Sequence, residues 1–302
     1  MTIDTGVRPV SRGGRFLRHW FVRFVIFFGS ILALYIASGA VPRSIFGEHA
    51  GRNHPWALLV SVAVAIPVML LVYRGLVHWL ERRRVSELAL PGAPAQLAIG
   101  AGIGFVLLSL VIGGLVMAGF GTIAIPAVLA FPTGALALSL VSGVAEELLL
   151  RGAMFRIVEE RFGTLVALLA SAAFFGALHI ANPGATVTSS TAIALEAGLL
   201  LALAYSATRR LWLPIGLHFG WNFTEGGIFS TAVSGGRVPG LLVTKLNGPE
   251  ILTGGAFGPE ASVVTVGVCL IAAAIFLVLT LRRDQWKPFV PRRQIPFEDA
   301  AA

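Results

Sequence analysis

Long apolar runs, each about 20 residues and separated by short polar segments, constrain this chain more than any other feature. They begin at Trp20, at Trp56, near Gln96, after Pro126 or Pro132, at Thr164, near Thr191, at Leu211 and at Ala261. A bilayer core is about 30 Å thick and offers the backbone no hydrogen-bond partner, so runs of this length can cross it only as helices. Composition agrees: 56% of the residues are hydrophobic and 13% charged, against roughly 45–50% and 25% in a soluble domain. The expected fold is all-α, a polytopic membrane helix bundle of about eight transmembrane helices.

Charge sets the expected orientation. Of the 23 basic residues, those at 8–23, 74–84, 151–161, 209–210 and in the C-terminal tail fall on one side of an eight-helix bundle. Only Arg43, Arg52, Arg237 and Lys245 fall on the other. Basic residues concentrate on the cytoplasmic side, so both termini are expected in the cytoplasm, most simply at a plasma or inner membrane. Trp20, Trp56, Trp79, Trp212 and Trp286 sit at or near helix ends, as interfacial aromatics do. The net charge of +8 therefore reports topology and gives no reason to expect nucleic acid. One cysteine, Cys269, excludes an intrachain disulfide and a cysteine metal site. The partition is a basic cytoplasmic arm at 1–19, three transmembrane helices within 20–120, a helical core at 125–230, a Gly-rich extracytoplasmic loop at 231–260, a last span at 261–281 and a basic cytoplasmic tail at 282–302. Helix four is expected to continue past Arg151 into water and to turn at Phe162-Gly163.

Against this background, ionisable groups inside apolar runs stand out. Each costs about 2.5–3.5 kcal/mol at a helix centre, which makes it a functional candidate. The first insertion is Glu146-Glu147 with Arg151; the others are His179, and His218 with Asn222. If helices four and five turn near Gly163, Glu146 and His179 both lie about 25 Å from the turn and can face each other. His218 follows the next turn, at 209–211, by about two turns of helix, so one site a few turns below the cytoplasmic surface is expected.

Residues four apart share a helix face, which pairs Glu147 with Arg151, Phe175 with His179, and His218 with Asn222. Glu146 is rotated about 100° from Glu147. The expected division of labour makes Glu147 and Arg151 a structural ion pair, with Phe175 as packing and Glu146 free to face the histidines. A buried Glu146 could act as general base on water, with His179 orienting that water and His218 and Asn222 donating to the oxyanion. Equally, Glu146, His179 and His218 could hold Zn2+ with water in an open position. Glu196 and Glu225 lie at similar distances from Arg209 and could line the cavity, share a proton or face the far interface. A proton- or ion-coupled transporter also uses buried Glu and His, and a non-catalytic binding or immunity role would keep the same fold.

Glu146-Glu147-x-x-x-Arg151, Phe175-x-x-x-His179 and His218-x-x-x-Asn222, in that order, resemble the three motifs of the CPBP intramembrane proteases, the CAAX and bacteriocin-processing enzymes also called the Abi family. The similarity covers about residues 125–230; 1–95 carry no diagnostic match. The stretches Trp221-Asn222-Phe223-Thr224-Glu225-Gly226 and 254–262 also look like bacterial members. The resemblance implies hydrolysis of peptide bonds at a cytoplasm-facing intramembrane cavity. It implies a membrane-anchored protein or peptide as substrate and membrane lipid as surroundings. Members are described both as metalloproteases and as metal-free glutamate-dependent enzymes, so the zinc alternative stays open.

Overall fold

The structure, a computed structural model, describes residues 19–47 and 54–289. Most of the expected basic arm and the end of the tail, together with His49 and Arg52, lie outside the described residues. Helix α1 spans Trp20–Phe46, α2 Pro55–Leu76, continued by a π-helical stretch over Val77–Glu81, and α3 Ala93–Met117. Helix α4, Thr133–Glu147, runs without a break into a π-helical segment, Leu148–Phe155, and on into α5, Arg156–Leu178. Gly163 breaks α5 at φ 80° and ψ 171°, a left-handed φ that favours glycine, and the chain doubles back there. Arg151 and Phe175, equidistant from Gly163, consequently meet across the hairpin. Next, α6 (Val187–Ile193) and α7 (Leu199–Thr208) are joined into one rod by a π-helical segment, Ala194–Gly198. Then come α8 (Trp212–Asn222) with its own π-helical extension Phe223–Ile228, the short α9 (Glu250–Thr253) and α10 (Val263–Arg282).

With the Gly163 hairpin counted as two, the described residues form eight rods, a polytopic membrane bundle. Six stretches are long and apolar enough to cross a membrane. The Gly-rich loop is more ordered than its composition suggests. Val243–Leu246 (β2) pairs antiparallel with Gly121–Ala124 (β1), the segment that leaves α3. Two four-residue strands so far apart in sequence leave no periodic signal.

The tightest contact in the bundle is between α3 and α8, and it rests on glycine. Gly100 and Gly104 on α3 face Gly216 and Gly220 on α8. A Cβ at Gly104 would lie 2.5 Å from the backbone nitrogen of Trp221, one at Gly100 2.7 Å from that of Leu217, and one at Gly220 2.6 Å from Cα of Ala101. Helices in lipid gain little from apolar burial against each other, so small residues that let backbones approach supply the attraction. This seam fixes the depth and rotation of α8, the helix that carries His218 and Asn222.

The arginine-rich end is held by ion pairs. Glu81 is contacted by Arg23 at 3.1 Å, Arg83 at 2.8 Å and Arg156 at 2.9 Å. Glu87, in the loop between α2 and α3, takes two hydrogen bonds from Arg83 and lies 2.7 Å from the Tyr73 hydroxyl. The chain after α10 folds over the Gly163 turn, where Thr164 and Lys287 exchange hydrogen bonds of 2.8 Å. Burial pushes the Glu87 carboxyl up, but the hydrogen bond from Arg83 and the charges of Arg156 and Arg83 outweigh it and hold it at about 2, below the ordinary 4.5.

Two predictions follow from these contacts. Gly104→Ala should destabilise the purified protein by about 1–3 kcal/mol, the usual cost of overpacking. Gly113→Ala, on the same helix with nothing within 4 Å of its Cβ, should not; thermal unfolding in detergent compares the two. Because the Glu87 carboxyl is depressed on folding, its stabilisation is whole above pH 4.5 and is lost as pH falls toward about 2. An acid titration of stability should therefore be less steep in that window for Glu87→Gln than for the wild type.

Candidate active site

Glu146 and Glu147 end α4, immediately before its π-helical continuation, and point in different directions. Glu147 is fully buried. Its Oε1 accepts hydrogen bonds from Arg151 at 2.8 Å and from Nδ1 of His218 at 3.0 Å. Arg151, also fully buried, donates in addition to the carbonyls of Ala197 and Gly198, each at 3.0 Å. Its guanidinium lies 5.1 Å from the centre of the Phe175 ring. The brace expected between Glu147 and Arg151 is therefore present, but it does more than neutralise a charge. It grips the π-helical segment between α6 and α7 and it holds His218. Spacing along α4 alone could not show this, because both further partners come from other helices.

The contact with Glu147 places a proton on Nδ1 of His218. A carboxylate already receiving an arginine only accepts, so Nδ1 of His218 carries the proton. Nε2 is thereby turned toward Oε2 of Glu146, 3.8 Å away. The Glu146 side chain keeps 17% of its surface exposed. Its other oxygen accepts from the hydroxyl of Tyr35, on α1, at 3.2 Å. Tyr35 was not singled out from the sequence, since a tyrosine in an apolar run is unremarkable until the fold brings α1 beside α4.

His179 stands where α5 ends in a 3-10 turn, His179–Ala181, ahead of Asn182-Pro183. Its Nδ1 donates to the carbonyl of Phe175 at 2.8 Å, which leaves Nε2 without that partner and available to the cavity. Phe175 meets the His179 ring at 4.6 Å and the His218 ring at 6.0 Å, both edge-on. It is the spacer between the two imidazoles as well as the surface beneath Arg151. Asn222 donates through Nδ2 to Oγ of Ser142 at 3.1 Å. Ser142 lies one turn before Glu146 and was also missed, for want of a charge to mark it.

Glu146, His179, His218 and Asn222 all line one cavity of about 490 Å³, and Glu147 and Arg151 stand behind its wall. Most of the lining is apolar, including Phe28, Leu32, Leu138 and Leu178. The cavity is lined along α4 by residues from Ala135 to Leu149 and by Val233, Ser234 and Arg237 of the loop between α8 and α10.

As arranged, the donors do not fit a three-ligand metal site: among the described residues no three His, Cys, Asp or Glu side chains are grouped to hold an ion.

Removing one partner of a buried ion pair strands the other charge, at about 3–5 kcal/mol. Glu147→Ala should therefore cost far more stability than Glu146→Ala, whose carboxylate is partly exposed and takes one hydrogen bond. Thermal unfolding of both variants in the same detergent checks this ordering.

Residues 128–224 match the family model described as type II CAAX prenyl endopeptidase Rce1-like. No curated protein and no solved structure matches the chain. The matched segment contains both carboxylates, Arg151, both histidines and Asn222, the residues that the fold gathers around the cavity. Residues 128–224 are thus similar to the Rce1-like type II CAAX prenyl endopeptidases, and the similarity covers about a third of the chain.

Proposed function

We propose that the chain hydrolyses peptide bonds of membrane-associated proteins or peptides with water activated by Glu146. One observation carries the reading: Glu147 holds His218 by Nδ1, so Nε2 and the free oxygen of Glu146 face each other across the cavity at 3.8 Å. Glu146 takes a proton from water through Oε2, while Tyr35 fixes Oε1. With His218 as the imidazolium between Glu146 and Glu147, both of its ring nitrogens donate, Nδ1 to Glu147 and Nε2, together with the second amide proton of Asn222, to the oxyanion of the tetrahedral intermediate, where charge develops. His179, held by Phe175, orients the attacking water through Nε2. The proton taken by Glu146 then passes to the leaving amide nitrogen, the same carboxyl acting as base and then as acid. The apolar walls admit an extended hydrophobic segment and exclude bulk water. The arginine distribution supports a cytoplasmic position for both termini.

Loss of a general base removes about 10²–10⁴ in rate. Membranes from cells expressing the wild type should contain new protein N-termini, detectable by terminal-peptide mass spectrometry, that are absent when Glu146→Gln is expressed at the same level. The same set of cleavages in the Glu146→Gln membranes would overturn the assignment.

A further inference from the structure

The cavity has a second polar end, which the hydrolytic residues do not use. Glu196 lies in the π-helical segment Ala194–Gly198, a local form that is frequent at functional sites. It lines the cavity together with Glu260. Glu196 is fully buried, and neither of its carboxylate oxygens has a hydrogen-bond partner. Glu225, in the π-helical extension of α8, is also fully buried, with its carboxyl against that of Glu260 and the Trp221 indole. Glu260 differs: it accepts from Nε1 of Trp221 at 3.2 Å and from the backbone nitrogen and hydroxyl of Ser234 at 2.7 and 2.6 Å. It is close enough to the other two for its charge to act on both.

Buried carboxyls without partners are costly, several kcal/mol by any transfer scale, and chains keep them where something else supplies the partner. No cation among the described residues does so. Arg237 lines the same cavity, yet the oxygens of Glu196 remain unpartnered. An inorganic cation is a poor fit as well, since among the described residues no three acidic, His or Cys side chains are grouped to hold one. A long, flexible cationic side chain entering through the cavity meets both requirements, because its protons reach the carboxyls from one side and its stem lies along apolar wall.

We propose that the Glu196 end of the cavity is a cation subsite that takes the guanidinium or ammonium group of a basic residue in the substrate peptide. Glu196 makes the direct contact, and Glu260, held by Trp221 and Ser234, adds negative potential beside it. Arg151 sets the subsite's position, because it is bonded to the carbonyls of Ala197 and Gly198 in the same π-helical segment. One buried residue thus fixes both the hydrolytic pair and the subsite. Calling the cation part of a substrate rests on the peptidase reading; the presence of a cation site does not.

The full chain, purified in detergent, is titrated with n-butylguanidinium and with its uncharged analogue n-butylurea, and thermal stabilisation is measured. The wild type should be stabilised by the guanidinium and not by the urea. Glu196→Gln should bind the guanidinium about tenfold more weakly or worse, as for loss of a hydrogen bond to a charged group, whereas Glu146→Gln should bind it as the wild type does. Equal response to both compounds in the wild type would overturn the subsite, and so would loss of binding in Glu146→Gln with retention in Glu196→Gln. If Glu196→Gln does not fold, the wild-type comparison still decides. This binding readout needs no cleavage, so failure of the peptidase assignment and failure of the subsite are separate results. Where cleavage is seen, Lys or Arg should be enriched within a few residues of the Glu146-dependent sites, and no enrichment would count against the subsite as a substrate contact.

Discussion

The structure turns on a single buried carboxylate. Glu147 receives a guanidinium from its own helix and an imidazole from α8, with no exposure to solvent. In a low-dielectric interior a charge of this kind persists only with such partners, and each partner is committed by the bond it makes. Arg151 is drawn in far enough to reach the carbonyls of the α6–α7 rod. His218 is held with one nitrogen inward and the other facing the cavity. Orientation of the groups that face the cavity is thus a by-product of satisfying a charge that stands behind its wall.

Helix geometry serves the same end. Three rods leave regular α-helix for π-helical segments, at Leu148–Phe155, Ala194–Gly198 and Phe223–Ile228. Each segment adjoins or contains a carboxylate: Glu146-Glu147, Glu196 and Glu225. In the second of these segments the carbonyls of Ala197 and Gly198 accept from Arg151. The glycine seam between α3 and α8 is the complementary device. It draws two backbones together where no polar group helps, and so seats His218 at the depth of Glu147.

Much of this was legible in one dimension. Apolar runs of bilayer length show the helices and their number, and Phe162-Gly163 marks the hairpin. Charges too costly to be incidental mark Glu146, Glu147, Arg151, His179 and His218, and helical rotation separates the two adjacent carboxylates. Tyr35 and Ser142 were not visible, because neither side chain is unusual in an apolar helix and each matters only through a neighbour on another one. Gly100-x-x-x-Gly104 and Gly216-x-x-x-Gly220 were open to notice as small-residue repeats, but nothing in either repeat says that it faces the other.

What the sequence by itself determined is the set of things that follow from cost and periodicity along one helix: membrane insertion, the hairpin and the short list of ionisable residues. Only the tertiary structure decided which of those residues touch. It gave Glu147 to His218 as well as to Arg151, set Tyr35 on Glu146, and brought Glu196 and Glu260 into the lining of the same cavity. The physical reason is that a helix constrains its own residues through rise and rotation, whereas the depth and rotation of one helix against the next are set by packing, here by glycine contact and buried ion pairs between distant parts of the chain.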